Sequence, residues 1–325
     1  MMGCGFSEKP NKRFCLGVDG GGTKTEFLLF TEDGTIEKRI VLGACNPNSV
    51  GIDKCVEILK SGIDEMLTGC PAICAVYIGA AGFLLGNKAE IVKEKLLEYY
   101  AGFDMNIECN SDVINVIACA DSVNNNCIAV ICGTGFSVLA KVNDDLILNS
   151  GWGYLINKLG SGFDIGRDGL NSALAFFEGI GDYTILLELI EERTSKNIKE
   201  ILQDVYLKGQ TYVASFAEFV FEAYLKDDAV AKRIIEENAI YVADTVNMIC
   251  KKYAEITKII LSGSLFTKND IYKKIVEKQL DSRLEAVVPS LPQIYGACVK
   301  AAQMCGANVN ALKESFIIQY RKCEE

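Results

Sequence analysis

Three short stretches of this chain place glycine beside hydroxyl or carboxylate side chains just after apolar runs. Asp19-Gly20-Gly21-Gly22-Thr23 follows a run ending at Val18, Gly133-Thr134-Gly135 follows Cys127–Cys132, and Ser262-Gly263-Ser264 follows Lys258–Leu261. Glycine lets backbone N–H groups approach anionic oxygens, and Ser or Thr adds hydroxyl donors, so such loops suit phosphate groups. A single Asp-Gly-Gly-Gly-Thr loop reads equally well as a tight hairpin. A second loop of like design and a third Gly-Ser turn favour a clamp on a nucleotide. Asp112 stands in Asn110-Ser111-Asp112, where a short apolar run hands over to a helical one. A carboxylate there can orient a hydroxyl and take its proton, or can cap the helix that follows.

Histidine is absent from all 325 residues. That excludes Ser–His–Asp and Cys–His machinery, His–carboxylate metal triads and an imidazole base near neutral pH. Acid–base chemistry must rest on carboxylates, Lys, Tyr or Cys. The 14 cysteines include no C-x-x-C pair, so zinc-knuckle, dithiol-redox and ferredoxin spacings all fail. Most lie in apolar runs, where a free thiol acts as a small core hydrophobe, and they point to a reducing compartment. A net charge of −10 argues against nucleic acid as a partner. The longest apolar stretch, Ala72–Gly86, is too short for a bilayer, and the first residues lack the apolar segment of a secretory leader. These features predict a cytoplasmic protein that does not meet membranes.

The elements that position the loops follow from periodicity. After Gly22-Thr23, the segment Glu26–Phe30, a turn at Glu32-Asp33-Gly34-Thr35 and Ile36–Leu42 predict strand, turn and strand. The glycine loop therefore joins two strands, which rejects a Rossmann fingerprint, and the chain has no Gly-Lys pair for a Walker A motif. Helices are expected over Ile52–Leu67, Lys88–Tyr100 and Val113–Ala120, with strands at Ala72–Ile78 and Asn106–Cys109. Cys127–Cys132 and Phe136–Val142, a turn at Asn143-Asp144-Asp145 and a third run repeat the opening design, implying two related α/β halves. Six glycines within Gly151–Gly169 imply unusual backbone angles or close approach to a ligand, and Leu170–Tyr253 reads as mainly helical.

These residues carry a resemblance. GVDGGGTKTEFLLF, GTGFSVLAK and IILSGSLF resemble the phosphate-1, phosphate-2 and adenosine motifs of the actin/hexokinase/Hsp70 ATPase superfamily. ACNPNSVG, YIGAAGF, ECNSDV, GWGYLINKLGSG and PSLPQIYGACVKAA occur in the order found in the N-acetylglucosamine kinase and BadF/BadG/BcrA/BcrD-type ATPase family. The likeness runs from Cys15 to Ala302. It implies an α/β fold of two ribonuclease-H-like (actin-like ATPase) domains with ATP in an interdomain cleft. The first would span 1–117, completed by a C-terminal helix within 306–325, and the second 118–305 with a helical insertion. Carried over by position, Asp19 would lie near Mg²⁺, with Gly21, Gly22, Thr23 and Lys24 around the phosphates. Gly133, Thr134 and Gly135 would close on the phosphates, and Gly263 and Ser264 would meet the adenosine. Asp112 would be the catalytic base, and Asn46, Gly151, Trp152 and Gly153 would contact a sugar. A small-molecule sugar is the implied partner, and the resemblance leaves room for a homodimer.

One stretch departs from the family pattern. Kinases of this kind commonly continue Trp-Gly into Gly-Asp-Glu-Gly-Ser, where this chain has Asn157-Lys158-Leu159-Gly160-Ser161. Lysine cannot accept hydrogen bonds from hydroxyls, so the sugar site must differ. Lys158 could pair with an anionic group such as the lactyl carboxylate of N-acetylmuramic acid, the pocket could suit another sugar, or sugar binding could be lost. The expected activity is ATP- and Mg²⁺-dependent phosphorylation of an amino sugar. The rivals are an ATPase that activates a redox partner, an ATPase with a non-sugar acceptor, and a nucleotide-binding scaffold. A ROK-type repressor would need a DNA-binding segment that the residues before Cys15 are too few to form.

Overall fold

The computed structural model describes residues 13–69, 72–120, 126–143 and 145–320. Cys4, Cys70, Cys323 and Asp144 lie outside the described residues. The chain divides into two compact units, Met1–Val123 with Ser290–Glu325, and Asn124–Pro289.

The first unit opens with β1 (Phe14–Gly20), β2 (Lys24–Thr31) and β3 (Ile36–Gly43), followed by α1 (Pro47–Val50) and α2 (Ile52–Leu67). Then come β4 (Ile73–Ala80), α3 (Lys88–Tyr99), β5 (Asn106–Ser111) and α4 (Asp112–Cys119). Its sheet has the order β3-β2-β1-β4-β5, antiparallel from β1 to β3 and parallel from β1 through β4 to β5. Side chains alternate across the pleat as period-two geometry requires. Leu16, Val18, Phe27 and Leu29 join Leu59, Ile63, Val92 and Leu96 of α2 and α3. Cys15, Leu28, Phe30 and Tyr77 face the other way.

The second unit repeats this topology. It contains β6 (Cys127–Cys132), β7 (Phe136–Val142), β8 (Asp145–Ser150), α5 (Gly162–Phe177), α6 (Leu186–Thr194) and α7 (Ile198–Ser215). It continues with α8 (Ala217–Leu225), α9 (Ala229–Lys252), β9 (Lys258–Ser262), α10 (Ser264–Lys268), α11 (Asp270–Gln279) and β10 (Glu285–Val287). Its order, β10-β9-β6-β7-β8, is the same meander of three strands with two parallel strands added at the first. The two expected halves are therefore duplicates at the level of topology, with α6 to α8 added to the second.

The chain then returns to the first unit with α12 (Gln293–Cys305) and α13 (Val309–Gln319). The sequence reading assigned 290–305 to the second domain; the fold instead lays α12 over β1, β4 and α4. Two glycines make this approach possible. A Cβ on Gly17 would lie 2.7 Å from the Cys298 nitrogen, and one on Gly296 would lie 1.9 Å from the Asn115 carbonyl oxygen. The C-terminal end of α13 is fastened by a buried carboxylate: Glu26 Oε1 accepts from Arg39 Nε at 2.6 Å and from the Tyr320 hydroxyl at 2.7 Å. Removal of one partner would leave a buried charge unsatisfied, so this contact specifies where the last helix docks.

Gly296→Ala is expected to lower the unfolding free energy by about 3 kcal/mol, because the clash is with backbone and cannot be relieved by a rotamer change. Urea unfolding checks this, and an unchanged midpoint would contradict the close packing of α12 on α4.

Candidate functional site

Asp19 and Asp112 occupy equivalent places in the first unit. Asp19 lies near the C-terminal end of β1, in register with Gly79 of β4, which in turn pairs with Asn110 of β5. Asp112 follows directly where β5 ends. The carboxyl ends of parallel strands are the usual ligand edge of an α/β sheet. Ser111, not Asp112, caps α4: its hydroxyl accepts the Val113 N–H at 3.3 Å and donates to Asp112 Oδ1 at 3.1 Å. Asp112 is thus the first residue of the helix, and Ser111, not Asp112, holds the N-cap position.

Asn115, one turn further along α4, was not singled out from sequence. Its Nδ2 donates to Asp19 Oδ1 at 2.8 Å, while its own buried Oδ1 has no partner. The amide is wedged against Gly79, where a Cβ would lie 2.1 Å from Oδ1. The Asp112-x-x-Asn115 spacing on one helical face was the available signal. Burial drives the Asp19 carboxyl up to about 7, against the Asn115 hydrogen bond and with the Asp112 charge adding to the rise. Burial also raises Asp112, partly offset by the Ser111 hydroxyl and the Val113 N–H. Two half-buried carboxylates, with the charge of Asp112 disfavouring ionisation of Asp19, form an acidic site with a deficit of positive charge. That donor set fits a hard divalent cation, which takes oxygen ligands.

The hairpin loop between β1 and β2 holds the other residues expected around phosphates. Gly21 N–H donates to the Lys24 carbonyl at 2.8 Å, and a Cβ on Gly22 would meet nothing within 4 Å. Glycine at position 22 is therefore not demanded by neighbouring protein atoms, which leaves a cradle open to a ligand. Lys24 is exposed and lies 3.9 Å from Glu26 Oε2. Asn46 caps α1 by accepting the Asn48 N–H at 2.9 Å. It abuts Gly82 (φ +84°), where a Cβ would fall 2.3 Å from Asn46 Oδ1.

The second unit holds a cavity of about 470 Å³ lined by Gly133, Thr134, Gly162, Ser264, Leu265 and Lys268, with Thr211, Ala214, Ser215, Glu218 and Phe221 from α7 and α8. Its size suits a nucleoside-sized ligand. Of the predicted residues, Gly133, Thr134 and Ser264 line it. Gly263 serves instead as a turn, because its φ of +100° and its contact with the Cys132 carbonyl admit no Cβ. The loop is held from behind: Gly162 N–H donates to the Gly133 carbonyl at 2.8 Å and Phe163 N–H to the Thr134 carbonyl at 3.2 Å. A Cβ on Gly133 or Gly135 would approach protein atoms no nearer than 3.8 Å, so this loop too has room beside its backbone. Thr211, Ala214, Ser215 and Glu218 were missed from sequence, though they fall at i, i+3, i+4 and i+7 on one small, polar helical stripe.

Gly151, Trp152, Gly153 and Lys158 lie away from that cavity lining, on a loop after β8. Gly151 (φ +124°) packs against Ser137, and Asn157 fixes the loop by accepting the Trp152 N–H at 3.1 Å and donating to the Phe136 carbonyl at 3.0 Å. Trp152 is 56% exposed, so it is no buried wedge. Lys158 is exposed and forms no ion pair with any described residue.

A sequence model of the BadF/BadG/BcrA/BcrD ATPase family matches residues 16–299. The chain belongs to this family. It is 30% identical over 239 residues to the N-acetylmuramic acid/N-acetylglucosamine kinase of Clostridium acetobutylicum, covering 70% of this chain and 76% of that one. It is 23% identical over 290 residues to the N-acetyl-D-glucosamine kinase of Dictyostelium discoideum, covering 83% and 91%. Among solved structures, a protein from Porphyromonas gingivalis assigned as an N-acetylglucosamine kinase superposes with a TM-score of 0.70 at 21% identity, over 88% and 98% of the two chains. A ROK family glucokinase from Streptomyces griseus, solved with glucose and AMPPNP, gives 0.59 at 15%, over 89% and 99%. The fold is that of the sugar kinases with two ribonuclease-H-like domains. Among the described residues of this family member, no helix is long and apolar enough to cross a membrane.

Folded, ligand-free protein keeps the Asp19 proton to about pH 7, whereas the unfolded chain releases it near 3.8. The folded state binds more protons across that interval, so this residue's contribution to stability falls as pH rises through it. Asp19→Asn removes the penalty and keeps the Asn115 contact. The variant should exceed wild type in stability at pH 8 by roughly 1–3 kcal/mol, and the gap should close near pH 4. Parallel unfolding curves at the two pH values check this; equal stability at pH 8 would contradict it.

Proposed function

We propose that this ATP-dependent sugar kinase phosphorylates an N-acetylated amino sugar, with Asp112 as the base that takes the acceptor hydroxyl's proton. The observation that carries the reading is Asp112 itself: half-buried, set at the carboxyl end of β5 and leaving the N-cap position of α4 to Ser111, in a chain without histidine. A raised pKa makes a carboxylate a stronger base, and phosphoryl transfer asks of the protein mainly positioning, charge compensation and such a base.

The other roles divide by unit. In the second, the cavity walled by α7, α8 and α10 would take the adenosine, and the Gly133-Thr134-Gly135 backbone would donate to phosphate oxygens. In the first, the Gly21-Gly22-Thr23 loop would do the same, with Lys24 adding a mobile positive charge. Asp19 would hold Mg²⁺, which when bound neutralises phosphate charge. Asn115 would fix the Asp19 carboxylate through the bond to Oδ1. Asn46, Gly151, Trp152 and Gly153 would contact the sugar, Trp152 offering its exposed face.

Lys158 supports N-acetylmuramic acid over N-acetylglucosamine as the preferred acceptor. An exposed, unpaired cation in the position where sugar kinases of this type commonly carry an acid can pair with the lactyl carboxylate that only the former possesses.

Three measurements test the proposal. Coupled ADP-release assays with N-acetylglucosamine, N-acetylmuramic acid, glucosamine, glucose and no sugar should show turnover only with the N-acetylated sugars. ATP hydrolysis that ignores sugar would favour the redox-activator reading instead. Asp112→Asn should cut kcat by roughly 10²–10⁴-fold while nucleotide still binds; near-normal turnover would remove Asp112 from the mechanism. Lys158→Ala should lower kcat/KM for N-acetylmuramic acid by about tenfold and leave N-acetylglucosamine nearly unchanged. Equal losses for both sugars would overturn the role given to Lys158.

A further inference from the structure

Cys15, Cys74 and Cys305 come from the start of β1, the start of β4 and the last residue of α12, yet their three sulfurs lie within 4.8 Å of one another. Cys15 Sγ is 2.7 Å from Cys305 Sγ and 3.8 Å from Cys74 Sγ. The arrangement has its own supporting structure. The β1–β4 register slips between Phe14 and Cys15, so Cys74 is the extra residue between Ile73 and Ala75, and its sulfur sits 3.1 Å from the Phe14 carbonyl oxygen. Such a bulge re-aims one side chain out of the alternating pattern. Cys305 ends its helix at Gly306, whose φ of +71° turns the chain back so that the Ala307 N–H closes on the Ala302 carbonyl at 2.9 Å, with the Cys305 sulfur 3.5 Å from the same oxygen. The Arg13 guanidinium donates to the Cys305 carbonyl oxygen at 3.4 Å, which places its positive charge beside the cluster. Cys15 is fully buried and the other two sulfurs are half-buried, which leaves one side open for entry.

We propose that Cys15, Cys74 and Cys305 form a three-thiolate site for a thiophilic closed-shell cation such as Zn²⁺, with the fourth position left to solvent. A Zn–S bond of about 2.3 Å sets tetrahedral sulfur separations near 3.8 Å, the spacing already held by Cys15 and Cys74. Cys305 needs an outward swing of about 1 Å, at a half-buried helix end that can supply it. Each thiol releases its proton on binding, and three thiolates around a divalent ion leave one negative charge beside Arg13. A Cys15–Cys305 disulfide would use two sulfurs and give the bulge at Cys74 no purpose. The site lies at the opposite end of β1 from Asp19, so its role is to fasten α12 to the sheet rather than to take part in catalysis. Spacing along the sequence could not reveal it, because two neighbouring strands and the end of a distant helix bring the three ligands together.

The test is a Co²⁺ titration of full-length protein, stripped of metal under a non-thiol reductant. The expected result is saturation at one equivalent with a thiolate-to-cobalt charge-transfer band, displacement by Zn²⁺, and a rise in melting temperature on Zn²⁺ addition. Cys74→Ser and Cys305→Ser should weaken binding at least tenfold while keeping sugar-kinase turnover, which reports that they fold; Cys127→Ser should bind as wild type. Alkylation mapping supplies the second readout, with Zn²⁺ protecting Cys74 and Cys305 but not Cys109 or Cys119. Absence of a charge-transfer band, a band indifferent to these substitutions, or a Cys15–Cys305 disulfide that forms in preference to metal binding would overturn the site.

Discussion

A carboxylate is costly to take out of water, and this fold shields two of them, Asp19 and Asp112, from much of the solvent at the carboxyl edge of one sheet, with a single amide directed at Asp19. That constraint organises the first unit. Asn115 can reach Asp19 only because Gly79 and Gly296 lack side chains on either side of it. Gly296 in turn belongs to α12, which must therefore return from the far end of the chain to pack on α4. The result is a site with a stored electrostatic penalty. Stability given up at a functional edge in this way is a common trade in enzymes.

The second unit solves a different problem with the same topology. Its loop after β6 faces a cavity instead of a carboxylate pair, and two residues of α5 anchor it through its carbonyls so that the backbone between them stays in place. The glycines sort accordingly. Gly263, Gly79 and Gly296 are demanded by neighbouring protein atoms, whereas Gly22, Gly133 and Gly135 have space beside them. A glycine with no steric duty in the fold is what a loop that meets a ligand through its backbone needs. The helices α7 and α8 supply the cavity's remaining wall, which explains why the second unit carries the longer insertion.

Much of this was legible in the sequence, where the signal is local. Strand–glycine loop–strand–turn–strand is written in periodicity and turn residues, and it recurs closely enough to announce the duplication. The ordered motifs located Asp19, Asp112 and both loops. What was not legible depends on contacts between distant segments. Ser111 and Asp112 are both good helix caps, and only the geometry decides that Ser111 takes the position. The placement of 290–305 depends on Gly17 and Gly296 meeting partners far away in the chain. Trp152 between two glycines is equally compatible with burial and exposure until the loop path is known. Cysteine spacing detects only ligands close in sequence, whereas Cys15 has its sulfur neighbours 59 and 290 residues away.

The most direct test of the central claim, that the half-buried Asp19 carboxylate is built to hold a cation, is its own titration. Carbon-13 NMR of the labelled side chain, read with and without Mg²⁺, would follow it in the intact protein. The account predicts a midpoint of about 7 without the ion and a fall of about two units when Mg²⁺ is added. A midpoint near 3.8, the ordinary aspartate value, that does not respond to Mg²⁺ would contradict it.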